Sequence, residues 1–153
     1  MARAIESRIV SQAIDVTADA VYRFARQGEN LPLWASGLAS GVFESDGRWI
    51  AESPMGRVTI EMTPVNPYRV LDHEVILPDG GTTHNAMRVT PIGDGASLVS
   101  FVALRQAGMT DDAFEQDVAH IARDLLALKS LLEDSVGRQM MIPKDQATQV
   151  LKK

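Results

Sequence analysis

The chain has no cysteine, which excludes disulfides, thiol nucleophiles, Fe–S clusters and Cys-ligated zinc together. Aromatic residues are scarce: two Trp, two Tyr and four Phe make up 5% of the sequence. Positive charge is also in deficit, with 15 Lys+Arg against 20 Asp+Glu and a net charge of -5. A protein that tracks a phosphate backbone needs the opposite balance, so nucleic acid is not an expected partner. The same sign argues against stable association with anionic membranes. No run approaches the roughly 18 apolar residues of a membrane-spanning helix. The segment Met1-Ala2-Arg3-Ala4-Ile5-Glu6-Ser7-Arg8 carries charge where a secretory signal would need an apolar stretch. A cytoplasmic location is the resulting expectation.

What is present is a globular mixture. The 153 residues, 45% apolar and 23% charged, suit one domain that buries its own core. β-Branched residues spaced among polar ones predict a first strand over 5–16. Thr17 is placed to cap a short helix over 18–26 with Asp19 in its first turn, and Gly28 ends it. Glu29 to Gly37 reads as a second short helix or an ordered loop. Six strands follow, over 39–45, 48–53, 56–63, 69–77, 82–91 and 97–105. Turn chemistry separates them at Asp46-Gly47, Ser53-Pro54-Met55-Gly56, Asp79-Gly80-Gly81 and Gly93-Asp94-Gly95. Phe114, Val118, Ile121, Leu125, Leu128 and Leu132 then recur in steps of four and three, one face of a long helix capped by Thr110. The helix is expected to end near 135, with Gly137 beyond it. The domain is thus expected over 1–136, and 137–153 as a flexible or interface-forming tail. An antiparallel sheet has one apolar face to cover, and the long helix is the only element large enough to do so.

This order, and the local motifs within it, resemble the helix-grip superfamily of START lipid-transfer domains, Bet v 1 pollen allergens and the bacterial polyketide cyclase/dehydrase group. The run Ile14-Asp15-Val16-Thr17-Ala18-Asp19-Ala20-Val21-Tyr22 is similar to the family's strand-to-helix junction, with Val16-Thr17 where the family usually has Ala-Pro. Glu29-Asn30-Leu31-Pro32-Leu33-Trp34, Gly47-Arg48-Trp49, Pro54-Met55-Gly56 and the stretch from Gly108 to Phe114 carry the rest, so that the likeness covers about residues 5–135. The resemblance implies an α+β fold, a curved seven-stranded antiparallel sheet wrapped around the C-terminal helix. It also implies a cavity between the two that holds a small apolar or amphipathic molecule.

Strand alternation sorts the side chains expected to face that cavity. One face of 69–77 carries Leu71, His73, Val75 and Leu77; one face of 82–91 carries Thr83, Asn85, Met87 and Val89. Val99, Phe101, Ala103 and Arg105 are taken as the inward set of the last strand. Three-residue loops at 79–81 and 93–95 would pair Val75 with Asn85, His73 with Met87, and Met87 with Phe101. Ile121 and Leu125 supply the helix side, and Trp34 and Trp49 are further candidates. Trp49 alternates with Val42, but Phe43 and Ile50 form an equally apolar rival face, and the sequence does not choose between them. Tyr22 and Tyr68 are candidates to present hydroxyls.

A wall of this kind, apolar with a few placed polar groups, suits ligand binding without a cofactor. The alternative is a cyclase/dehydratase-type enzyme on a polyketide-like substrate. His73 would then be the general acid–base, with Asn85 or Arg105 polarising a carbonyl, and with neither a metal nor a covalent nucleophile. His73 and His84 fall on opposite faces, and His120 reads as an ion-pair partner of Asp117 or Asp124, so no metal site is expected. A third role rests on the tail: Met140-Met141-Ile142 could dock on a partner or on a second copy, forming a homodimer.

Overall fold

The computed structural model describes residues 2–139. Its elements run β1 (Ser7–Ile14), α1 (Ala18–Ala25), α2 (Leu31–Trp34), β2 (Val42–Ser45), β3 (Arg48–Ser53), β4 (Gly56–Met62), β5 (His73–Ile76), β6 (Thr82–Pro91), β7 (Ser97–Leu104) and α3 (Asp111–Gln139). Single 3₁₀ turns at Gly28–Asn30 and Ser36–Leu38 flank α2. The strands form one antiparallel sheet in the order β1-β7-β6-β5-β4-β3-β2, and α3 lies across its concave face. This is the α+β helix-grip architecture.

Local chemistry accounts for the element boundaries. The Thr17 hydroxyl accepts the Ala20 N–H at 3.3 Å, and the Thr110 hydroxyl accepts the Ala113 N–H at 3.0 Å, each satisfying an otherwise orphaned helix donor. Asp46 and Gly47 both take positive φ, 53° and 78°, the geometry of a type I′ turn that joins Ser45 to Arg48. The sheet ladder begins only at Val42, because Ala39 and Ser40 continue as a turn from the 3₁₀ turn at Ser36–Leu38 and Gly41 takes φ 113°. The first strand is likewise shorter than its periodic pattern. Helix α3 runs through Gly137 to Gln139, since one interior glycine lowers helix stability by only about 1 kcal/mol. The expected tail from residue 140 on, with Met140-Met141-Ile142, lies outside the described residues.

The register between β6 and β7 pairs Met87 with Phe101, as the loop length predicts. Between β5 and β6 it differs by two residues: His73 pairs with Asn85 and Val75 with Thr83. Proline has no N–H, so Pro78 cannot close the hairpin and joins the loop instead. Gly81 takes the closing position, its carbonyl accepting the Leu77 N–H at 2.7 Å. A slip of two preserves the side-chain faces, so the inward set is unchanged.

Packing divides the concave side into two halves. The C-terminal half of α3 brings Leu125, Leu128 and Leu132 against Ile14, Val21 and Val99, all buried. Further toward its N-terminus the same helix is only partly buried at Val118 and Ile121. Space remains between helix and sheet there.

Candidate functional site

That space is a cavity of about 560 Å³. Its sheet wall includes Leu71, Val75, Met87 and Phe101, which alternation places inward; Ile121 and Leu125 supply the α3 side and Trp34 the α2 side. His73, Thr83 and Asn85 interrupt the apolar wall. Exposed Pro54, Met55 and Gln106 also border it, so the cavity reaches the surface there. Among the described residues no group of three or more His, Asp or Glu side chains could hold a metal ion.

Two predicted site residues lie elsewhere. Trp49 does face inward, opposite Ile60, but its indole covers Gly28, where a Cβ atom would clash with the ring. It is a packing residue beside the cavity rather than a lining one. Arg105 follows the end of β7, and its guanidinium meets Asp111 at 2.6 Å, Glu6 at 3.0 Å and the Met109 carbonyl at 2.9 Å. These partners hold it at the base of α3, away from the cavity wall. Tyr22 is committed as well, its hydroxyl accepting the Asn66 N–H at 3.0 Å, and Tyr68 is exposed.

The geometry around His73 arises from a departure from regular pairing. Leu71 N–H donates to the Met87 carbonyl at 2.8 Å, and a regular ladder would return a bond from Met87 N–H to Leu71. Here the Asp72 carboxylate takes the Met87 N–H at 2.9 Å. The Leu71 carbonyl instead accepts from His73 Nδ1 at 2.9 Å. A carbonyl can only accept, so Nδ1 carries the proton and Nε2 is a lone-pair acceptor. Burial pushes the His73 imidazole below its ordinary pKa, outweighing the Leu71 carbonyl and the Asp72 and Glu74 carboxylates that favour protonation. The Phe101 ring packs edge-on to the imidazole, with centroids 6.2 Å apart. Asp72 itself is pushed up by burial, but the Arg88 bond at 2.9 Å and the Met87 N–H hold it below the usual carboxylate value.

Sequence reasoning left three further cavity-lining residues out of the site, Asp117, His120 and Asp124, along with Ser36, which bonds to two of them. Asp117 stands one helical turn before Ile121 and faces the cavity, where burial raises its carboxyl pKa against the opposing pull of His120. Its spacing from Ile121 and Leu125 was the available signal. Ser36 Oγ donates to Asp124 Oδ1 at 2.9 Å, while His120 Nε2 lies 3.3 Å from both Ser36 Oγ and Asp124 Oδ2. These are the residue types of a catalytic triad in a different geometry. A triad needs serine and aspartate on opposite ring nitrogens, and here both approach Nε2. The cluster fastens the turn after α2 to α3 and does not activate the serine.

Comparison with known proteins agrees with this architecture. The family profile described as polyketide cyclase / dehydrase and lipid transport matches residues 8–133. The chain belongs to this family. Among curated proteins no sequence matches. Solved structures similar to this member of the family include XoxI from Bacillus cereus, at TM-score 0.68 and 14% identity over 85% of this chain and 97% of that one. A START superfamily protein from Mycobacterium smegmatis aligns at TM-score 0.59 and 9% identity, covering 82% and 98% of the two chains. The Zhui aromatase/cyclase from Streptomyces sp. R1128 aligns at TM-score 0.57 and 14% identity, covering 90% and 96%. Identities this low speak for the shared helix-grip fold. Among the described residues no helix is long and apolar enough to cross a membrane.

Proposed function

We propose that the protein binds a small apolar or amphipathic molecule in the cavity between the sheet and α3, with its polar wall groups orienting the guest. The observation that carries this reading is the cavity itself, about 560 Å³ walled mainly by aliphatic and aromatic side chains. That volume is in the range that holds a small ligand. His73 and Asn85 line it, and among the described residues neither His73 Nε2 nor the Asn85 amide has a protein hydrogen-bond partner. Native mass spectrometry of protein purified without detergent, followed by a screen of lipids and aromatic polyketides, tests the reading. A retained or acquired guest at one per chain supports it, and a chain that takes up none of them refutes it.

A second reading, a cyclase/dehydratase-type enzyme, is favoured by one observation. A neutral imidazole fixed as the Nδ1–H tautomer can accept a proton at Nε2 from an acidic carbon or hydroxyl of a bound carbonyl compound. Asn85, directly across from it, could donate to the developing enolate oxygen. Family membership and the likeness to an aromatase/cyclase support the same chemistry. Turnover that persists in His73→Ala would remove His73 from that role.

A further inference from the structure

We propose that the cavity selects ligands whose polar group is an uncharged hydrogen-bond donor, a hydroxyl or phenol on an otherwise apolar body, and excludes carboxylates. The inference rests on the binding reading above and adds the polarity of the contact. Asp72 sets that polarity from the opposite side of the sheet. By taking the Met87 N–H, its carboxylate releases the Leu71 carbonyl, which then holds His73 Nδ1–H. The Nε2 that remains for a guest is an acceptor without a proton, and an acceptor is satisfied only by a donor.

The remaining wall disfavours a negative head group. Among the described residues no Lys or Arg lines the cavity, while the carboxylates of Asp117 and Asp124 do. The Asn85 amide and the Thr83 hydroxyl can donate, but neutral donors do not compensate for removing a full charge from water. A guest hydroxyl avoids that cost and meets His73 Nε2. An ether of the same length can accept from Asn85 or Thr83 but brings no proton to His73 Nε2, which stays unpaired.

Three probes of one size separate these cases: 1-decanol, decanoate and 1-methoxynonane, titrated at pH 8 by calorimetry. The expected result is 1-decanol binding about tenfold or more tighter than either of the others. Decanoate or the ether binding as well as the alcohol would overturn the inference while leaving the cavity a binding site. If none of the three binds, this inference is overturned, and the binding reading stands or falls on the wider screen of lipids and aromatic polyketides. In ¹⁵N-detected NMR of the unmodified protein His73 should appear as the Nδ1–H tautomer, and the Nε2–H tautomer would overturn the proposal. Asp72→Ala, which frees the Met87 N–H to return to the Leu71 carbonyl, should weaken that tautomer preference and narrow the gap between alcohol and ether. His73→Phe should reduce the gap below about threefold. An unchanged gap in His73→Phe would assign the selection to another group.

Discussion

His73 and Asn85 are cross-strand partners on β5 and β6, and both side chains line the same cavity wall. Directly opposed residues of an antiparallel pair have Cβ atoms about 5 Å apart, close enough for one polar group of a guest to meet both. The pair is a polar mark on an apolar wall. Keeping it there has an energetic cost that a simple core would avoid.

Asn85→Leu should therefore leave stability unchanged or raise Tm by about 1–3 °C, because it removes an amide from apolar surroundings. The same change should weaken binding of hydroxyl-bearing guests about fivefold or more. Thermal melts and calorimetry on one preparation check both halves. A loss of stability would mean that Asn85 serves the fold.

The His73 imidazole should make the fold sensitive to acid. Burial lowers its pKa in the folded state, with His84 acting in the same direction and Leu71, Asp72 and Glu74 against it. The unfolded chain therefore binds the proton first as pH falls through the ordinary histidine value of about 6.5. Stability is full above that value and is lost progressively below it, toward the folded pKa. His73→Phe should lose about 2–5 °C less in Tm than the native protein between pH 7.5 and 5.

Asp117 should have the opposite slope. Burial raises its carboxyl pKa, with His120 opposing, so the folded chain holds this proton more tightly than the unfolded one. Its contribution is favourable at low pH and lost as pH rises from about 4 through the raised value. At pH 7 the ionised carboxylate is a burden, and Asp117→Asn should raise Tm by about 1–3 °C. A fall in Tm at pH 7 would mean that the charge is satisfied in the fold.

Gly28→Ala should destabilise the protein by about 1–3 kcal/mol, since the new methyl group would displace the Trp49 indole. Tryptophan fluorescence, with only Trp34 and Trp49 present, would report the displaced ring as a shifted emission. Unaltered stability and emission would contradict this packing.

Much of the fold was legible because it rests on local patterns. Thr17 and Thr110 cap the helices that their positions suggest, and Asp46-Gly47 makes the turn it encodes. The inward faces of β5, β6 and β7 follow from a period of two, which is why a register slip at Pro78 left them intact. The unread features depend on contacts between distant segments. No local pattern shows that the Trp49 ring fills the space over Gly28 or that Arg105 is held by Glu6. Nor does alternation show that Asp72, on the opposite face from His73, orients it through Met87 and Leu71. Asp117 could have been found on the helical stripe itself, three residues after Phe114 and four before Ile121.

The most direct test of the central claim is a ¹H–¹⁵N correlation spectrum of the labelled protein titrated with 1-decanol. Occupation of the cavity predicts saturable, one-to-one shifts concentrated at Leu71, His73, Asn85, Met87, Phe101 and Ile121, with Ile9 and Phe43 on the outer surface unmoved. Shifts confined to exposed residues, or a spectrum unchanged at ligand saturation, would contradict it.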